Sequence, residues 1–503
     1  MNAANPMPVP DGRPSDARTP HPPSGHPLPF GRGEGWGEGI GITRRSFFRQ
    51  TARGAGILSL GLHASARGAE AMAEFRLASF TADVTVPMGH GMMGGSWLSK
   101  RVADPLFAKG VVLLGGDKPV VLVSVDWCEI RNEAYDRWRA ALAEAAGTEP
   151  ARVLVSSTHV HDAPVADLEA ERILIANKCA GTVCDLKFHE EAVLRVAAAL
   201  RESLKSATRI TQLGLGQARV EKVASNRRYA LPTGGVAYNR MSSNRNVIAA
   251  DAPEGDVDPM LKTLSFWNEN TPVAALSNYA VHPMSYYGGG EVSADFPGIA
   301  RRRRQEDLPG VAQVYFSGCS GNVTAGKYNT GARENRPVLA GRLYQAMAEA
   351  WRDTKKSPLT RIQFRAVPLR LEPRDEPAGF TVEGAKKLLA PENKPFAQCL
   401  AAMNLSWRKR ADAGHKLDVP VVDFGAAQFL LLPAESYVEY QLYAQQVRPD
   451  SFVMVAGYGE SAPGYIPIER AWAEKDSNLG DWCWVAPDSE ARMKAAIEAA
   501  LGK

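Results

Sequence analysis

The chain has 503 residues, with 59 Lys and Arg against 55 Asp and Glu and a formal net charge of +4. That length suits one large or two ordinary domains with a full core, and the composition is that of a soluble globular protein. No run of about 18 uncharged apolar residues appears, so no spanning helix is expected. Most of the excess charge sits in residues 1–66, where seven arginines face Asp11, Asp16, Glu34 and Glu38; the remainder offers no concentrated basic face for nucleic acid.

In chain order, residues 1–42 are rich in Pro and Gly, as in Pro20-His21-Pro22-Pro23, and read as disordered or as lying upstream of the true start. Residues 43–66 read as a twin-arginine signal peptide. Thr43-Arg44-Arg45-Ser46-Phe47-Phe48-Arg49 is followed by a weakly apolar segment and by Ala64-Ser65-Ala66, a small-residue cleavage pattern. Export by that machinery predicts a periplasmic or secreted protein of a bacterial cell envelope, which peripheral contact with a membrane would suit. Cys179 and Cys184 are spaced to pair in an oxidising compartment. The absence of any CxxC pair argues against a Cys-rich zinc site.

From about Phe75 onward apolar strands alternate with helices. Strands are predicted at Val111–Leu114, Val120–Asp126, Val153–Ser157, Val273–Tyr279, Val311–Phe316 and Phe424–Leu432. Helices are predicted at Ala134–Ala146, Glu190–Ser206 and Pro337–Thr354. The pattern predicts an α/β fold of layered mixed β-sheets flanked by helices, with the active site at strand C-terminal ends. The more polar residues 372–420 read as a peripheral lobe, and the run Arg301–Arg304 as a solvated helix face.

His159-Val160-His161 closes the Val153 strand, and residues two apart on an extended strand share a face. Neutral imidazole is the commonest ligand for a transition metal, and two imidazoles are half of a tetrahedral zinc site. Of six histidines past the leader, His159, His161 and His282 follow strand ends. Glu435, at a strand–helix join, would supply a carboxylate oxygen; a favourable charge at a helix N-terminus is its ordinary alternative.

Eight short blocks in one order resemble the neutral/alkaline non-lysosomal ceramidases over their N-terminal catalytic domain. Among them are Ser157-Thr158-His159-Val160-His161, Asn226-Arg227, Asn278-Tyr279-Ala280-Val281-His282-Pro283, Gly318-Cys319-Ser320-Gly321-Asn322-Val323-Thr324, Leu432-Pro433-Ala434-Glu435 and Gly464-Tyr465-Ile466-Pro467. The resemblance implies a catalytic domain over residues 75–490; with the chain ending at Lys503, the C-terminal immunoglobulin-like domain of the full-length family members is not expected. It implies one Zn2+ per chain, held by His159, His282, Glu435 and Tyr465. His161 would then handle substrate or a proton, and Arg227 would stabilise charge on the scissile carbonyl oxygen. The implied substrate is a linear N-acyl amide, either a lipid such as ceramide or a small molecule. The chain departs from the family where a Gly-Asp-Val-Ser-Pro-like stretch, whose serine is the family's proposed nucleophile, becomes Gly321-Asn322-Val323-Thr324-Ala325, leaving the Thr324 hydroxyl as the catalytic candidate there. A metal-dependent esterase or phosphoesterase and a non-catalytic binding protein with a relict zinc site are the alternatives.

Overall fold

Three β-sheets share one plan. The computed structural model describes residues 74–503, so the readings of residues 1–42 and 43–66 lie outside the described residues. The first sheet runs Thr208–Arg209, β1 (Arg76–Asp83), β2 (Phe107–Leu114), β3 (Val120–Val125) and β4 (Val153–Ser157). Its neighbours are antiparallel until the last pair, where β3 and β4 are parallel, with Val125 opposite Ser157. The second sheet places β5 (Gln212–Arg219), β6 (Met260–Asn268), β7 (Thr271–Tyr279) and β8 (Ala312–Ser317) side by side, and here β7 and β8 are the parallel pair. The third has β9 (Gln363–Leu369), β10 (Leu417–Asp423), β11 (Ala427–Leu431) and β12 (Phe452–Ala456), with β11 and β12 parallel.

The strands read as near-continuous apolar runs because both faces are buried: every residue of β3, β4 and β11 is buried. Inner faces of all three sheets meet in one core that includes Leu122, Leu154, Leu276, Phe316, Phe429 and Met454. The outer face of the first sheet packs against α1 (Asn132–Ala146) and α2 (Leu186–Ser203). The second sheet is covered by α3 (Asp295–Asp307) and α4 (Asn335–Arg352). Burying these faces, at roughly 25 cal/mol per Å² of apolar surface, is the main stabilising term.

Serine hydroxyls tie the sheets together at one end. Ser124 donates to Tyr315 O (2.6 Å), Ser317 to Thr158 O (2.7 Å) and Ser156 to Gly457 O (2.9 Å). These bonds bring the carboxyl ends of the three parallel pairs to one place, where α/β folds collect their chemistry.

Two expectations are corrected. Residues 372–420 are no peripheral lobe: α5 (Pro395–Asp412) buries Cys399, Met403 and Trp407 in the main core, and β10 is an interior strand. The run Arg301–Arg304 is only half solvated. Arg301 is buried and grips both carboxylate oxygens of Asp126 at 2.8 and 2.6 Å, and Arg304 pairs with Asp307 at 2.6 Å. No helix among the described residues is long and apolar enough to cross a membrane.

Candidate active site

Strand β4 ends at Ser157, and His159 has φ +62°. The two histidines therefore do not share a face through strand periodicity, as their spacing predicted. A left-handed turn, costly for a residue with a Cβ, folds the chain back instead. It brings His161 Nε2 to 3.4 Å from His159 Nε2. The turn is held by His159 N–H donating to Trp127 O (3.0 Å) and by Tyr458 stacked on the imidazole at 4.2 Å. Ala434, next to Glu435, and Tyr458 also have positive φ.

His282 follows β7, and its N–H donates to Val323 O at 2.8 Å. Glu435 lies three residues past Leu432 in a short bridge, where Glu435–Ser436 runs parallel to Tyr465–Ile466 and Glu435 sits opposite Tyr465. Two glycines permit this. A Cβ on Gly321 would stand 2.2 Å from Glu435 O, and one on Gly464 would stand 2.1 Å from Trp482 O.

The ring tautomers follow from the partners. His159 Nδ1 lies 2.9 Å from Cys128 O, and His282 Nδ1 lies 2.6 Å from Ser320 O. Carbonyls only accept, so both protons sit on Nδ1 and both lone pairs on Nε2. Arg227 Nη2, which can only donate, stands 3.3 Å from His282 Nε2 and agrees with that assignment. The two Nε2 atoms are 3.2 Å apart, and Glu435 Oε2 lies 3.3 Å from His159 Nε2 and 3.0 Å from His282 Nε2. A tetrahedral zinc with bonds of about 2.0–2.1 Å needs ligand–ligand edges of roughly 3.3 Å. All three side chains are buried, and Glu435 Oε2 receives no hydrogen bond among the described residues. A triangle of lone pairs with no hydrogen between them is repulsive unless a cation occupies it. The donor set thus fits a metal ion.

Electrostatics agree. Burial, then the Arg227 guanidinium, pushes the His282 imidazole down to about 4, so it is neutral near pH 7. Burial followed by His159 and His282 holds His161 well below its ordinary value. Burial opposes ionisation of Glu435, yet the two imidazoles beside it hold its carboxyl below the usual range. Burial lowers His159 too, but Glu435 outweighs it and raises that ring. In the metal-free cluster a proton would therefore settle between His159 and Glu435, where a metal would displace it.

A second donor group, Cys128 with His159 and His161, fits less well. Cys128 Sγ is 3.9 Å from His159 Nδ1, the protonated nitrogen, and burial raises the thiol far above the range in which thiolate forms.

Tyr465 and Arg227 lie beside the triangle, with Arg227 Nη1 donating to the Tyr465 hydroxyl at 2.8 Å. Arg227 is buried, and its Nε makes no hydrogen bond among the described residues. Thr324 is not brought into this group. Its hydroxyl donates to Arg240 O (3.1 Å) and Met241 O (3.0 Å), which ties two loops together. Cys179 and Cys184 are both free thiols, each directed to a separate backbone carbonyl, Leu389 O and Asp167 O.

A cavity of about 230 Å³ opens onto the cluster. Its floor is His159, His161, Glu435, Tyr465 and Cys128; its apolar wall is Met93, Met241, Phe396 and Trp482; its rim is Ser477, Asn478 and Asp481. A larger surface groove of about 640 Å³ around Glu439 and Arg470 shares no lining residue with it. Sequence reasoning missed Tyr458, Trp482 and Glu129. Tyr458 and Trp482 are aromatic residues in short segments that look like any turn. Glu129 stands behind the wall, accepting from Trp482 Nε1 at 2.9 Å. Only the proximity of Cys128-Glu129 to the end of an apolar strand could have marked it.

No family model matches the sequence, and no curated protein matches it. Among solved structures, neutral ceramidase from Pseudomonas aeruginosa matches with a TM-score of 0.62 at 17% identity, over 85% of this chain and 74% of that one. A ceramidase complexed with C2 matches at the same TM-score and identity, over 84% of this chain and 74% of that one. The chain therefore has the fold of the neutral ceramidases.

Proposed function

We propose that this protein is a zinc-dependent amidohydrolase that cleaves a linear, ceramide-like N-acyl amide, and that its leader exports it by the twin-arginine route to the periplasm or beyond. The observation that carries this reading is the buried triangle of His159 Nε2, His282 Nε2 and Glu435 Oε2, in which three lone-pair atoms face one point and Glu435 Oε2 has no protein donor. His159, His282 and Glu435 would hold the metal, with Tyr465 beside them as a fourth oxygen. A zinc ion held there would supply Lewis-acid polarisation of a carbonyl oxygen and a lowered pKa for water.

The chain's own residues supply the rest. Arg227, a buried cation with a free Nε, stabilises negative charge developing on the carbonyl oxygen. His161 lies on the cavity floor with no hydrogen bond to its Nδ1 among the described residues. As a neutral base it takes a proton from the attacking water and returns it to the departing amine nitrogen. Thr324 has no part in this scheme, because its hydroxyl is committed to two carbonyls. The apolar wall of Met93, Met241, Phe396 and Trp482 suits an acyl or alkyl chain.

The test is hydrolysis of matched N-acyl amides, esters and phosphoesters by purified protein loaded with zinc. The amide is expected to be cleaved, with loss of activity on chelation and recovery on adding zinc back. Preference for the phosphoester, or activity untouched by chelation, would overturn the reading.

A further inference from the structure

Asp481 stands where two cavities meet. It is on the rim of the catalytic cup and also lines a second cavity of about 210 Å³, whose walls include Phe380, Leu388, Leu400 and Trp484. It is the one residue the two cavities have in common, so a ligand occupying both would lie against it. Asp481 is exposed, and among the described residues it forms no ion pair. No Lys or Arg lines either cavity, and the cup's other carboxylate, Glu435, belongs to the cluster. Nearby acids elsewhere are answered. Asp476 accepts from Tyr437 and Asn478, each at 2.6 Å, and Glu474 is bound by Arg228 at 2.6 and 2.7 Å. A carboxylate without a direct ion-pair partner at the rim sets up a local negative potential there.

We propose that Asp481 is a charge-selecting residue: it favours amide substrates carrying an ammonium or hydroxyl donor in the part that crosses the rim, and it disfavours anionic ones. This rests on the amidohydrolase reading above and sharpens its substrate class. Opposite charges a few ångströms apart at a solvated rim interact enough to alter selectivity roughly three- to tenfold, and the effect falls as salt rises. Phosphoesters and carboxylated amides are thereby turned away from a metal site that would otherwise attract them.

The experiment uses three N-acyl amides with the same acyl chain and amine halves that differ only in one neutral, ammonium or sulfonate group. They are assayed with the zinc-loaded wild type, Asp481→Asn and Asp481→Lys at low and high salt. The wild type is expected to rank ammonium over neutral over sulfonate in kcat/KM. D481N should flatten that order roughly three- to tenfold, and D481K should invert it. High salt should shrink the differences in wild type, which a merely structural role for Asp481 would not predict. Equal ratios in wild type and D481N overturn the proposal while leaving the amidohydrolase reading intact. If no amide is hydrolysed, that reading fails by itself. Calorimetric binding of the same three compounds to the same proteins then decides the charge order, and equal affinities in wild type and D481K overturn the proposal.

Discussion

Two buried ionic clusters adjoin one another, one behind the cavity wall and one at its floor, and they differ in how their lone pairs are used. In the first, Arg131 reaches Glu129 at 2.7 Å, Asp167 at 3.2 Å, and the carbonyls of Ser461 and Ala462 at 3.1 and 2.9 Å. Trp482 caps the remaining Glu129 oxygen at 2.9 Å, and Ser406 and Asn132 cap Asp167 at 2.7 and 2.9 Å. Every charge there is answered. In the second, His159 and His282 are anchored from behind through Nδ1. Glu435 Oε2 has no donor among the described residues, and beyond the triangle the two Nε2 atoms meet only long contacts, His161 at 3.4 Å and Arg227 at 3.3 Å. Buried charge alone therefore does not mark a functional site. What sets the second cluster apart is fixed orientation combined with an acceptor left without a donor.

The comparison can be broken at either end. The largest effect is expected from His282→Ala, which removes one corner of the triangle. Zinc content should fall from one per chain to near none and activity by a factor of at least about 10³, while chelator-treated wild type and variant should unfold at similar denaturant concentrations. Next, His161→Ala should keep the zinc and lower kcat by roughly 10²–10⁴, the usual contribution of a general acid–base group. Steady-state kinetics on metal-quantified protein separates these two variants.

In the closed cluster, Arg131→Met leaves two buried carboxylates uncompensated. It should cost about 3–5 kcal/mol of stability, read by chemical denaturation, with zinc retained by the protein that still folds. A stability loss below about 1 kcal/mol would show that the cluster is not closed in the sense described. The smallest effect belongs to Thr324→Ser, which keeps the hydroxyl that bridges Arg240 O and Met241 O. Activity within about twofold of wild type is expected. A hundredfold loss would return this hydroxyl to the chemistry.

Much of this architecture was legible in the sequence because burial on both faces writes long Val/Leu/Ile runs. Strands β3, β4, β7, β8 and β11 all stood out in that way. His159, His282 and Glu435 were candidates because each follows such a run, and the fold brings them together. The reason for the pairing of His159 and His161 was not legible: a left-handed residue after the strand, stabilised by Tyr458 from nearly 300 positions away, obeys no local periodicity. The arginine run misled because charge in sequence says nothing about which residues of α3 face Asp126. The polar look of residues 372–420 misled for a related reason, since α5 is amphipathic and its core face holds only a few large residues. Thr324 carried the right functional group for a nucleophile, but its two carbonyl partners come from a loop some 80 residues upstream.

The central claim is that His159, His282 and Glu435 converge to hold a metal rather than a proton. Elemental analysis of the purified protein beside Glu435→Gln tests it most directly. The account predicts about one zinc per chain in the wild type and a small fraction of that in E435Q, whose amide keeps the size of the side chain but not its charge. A wild type purified without bound metal that also fails to take up zinc, or an E435Q variant that holds zinc as tightly as wild type, would contradict it.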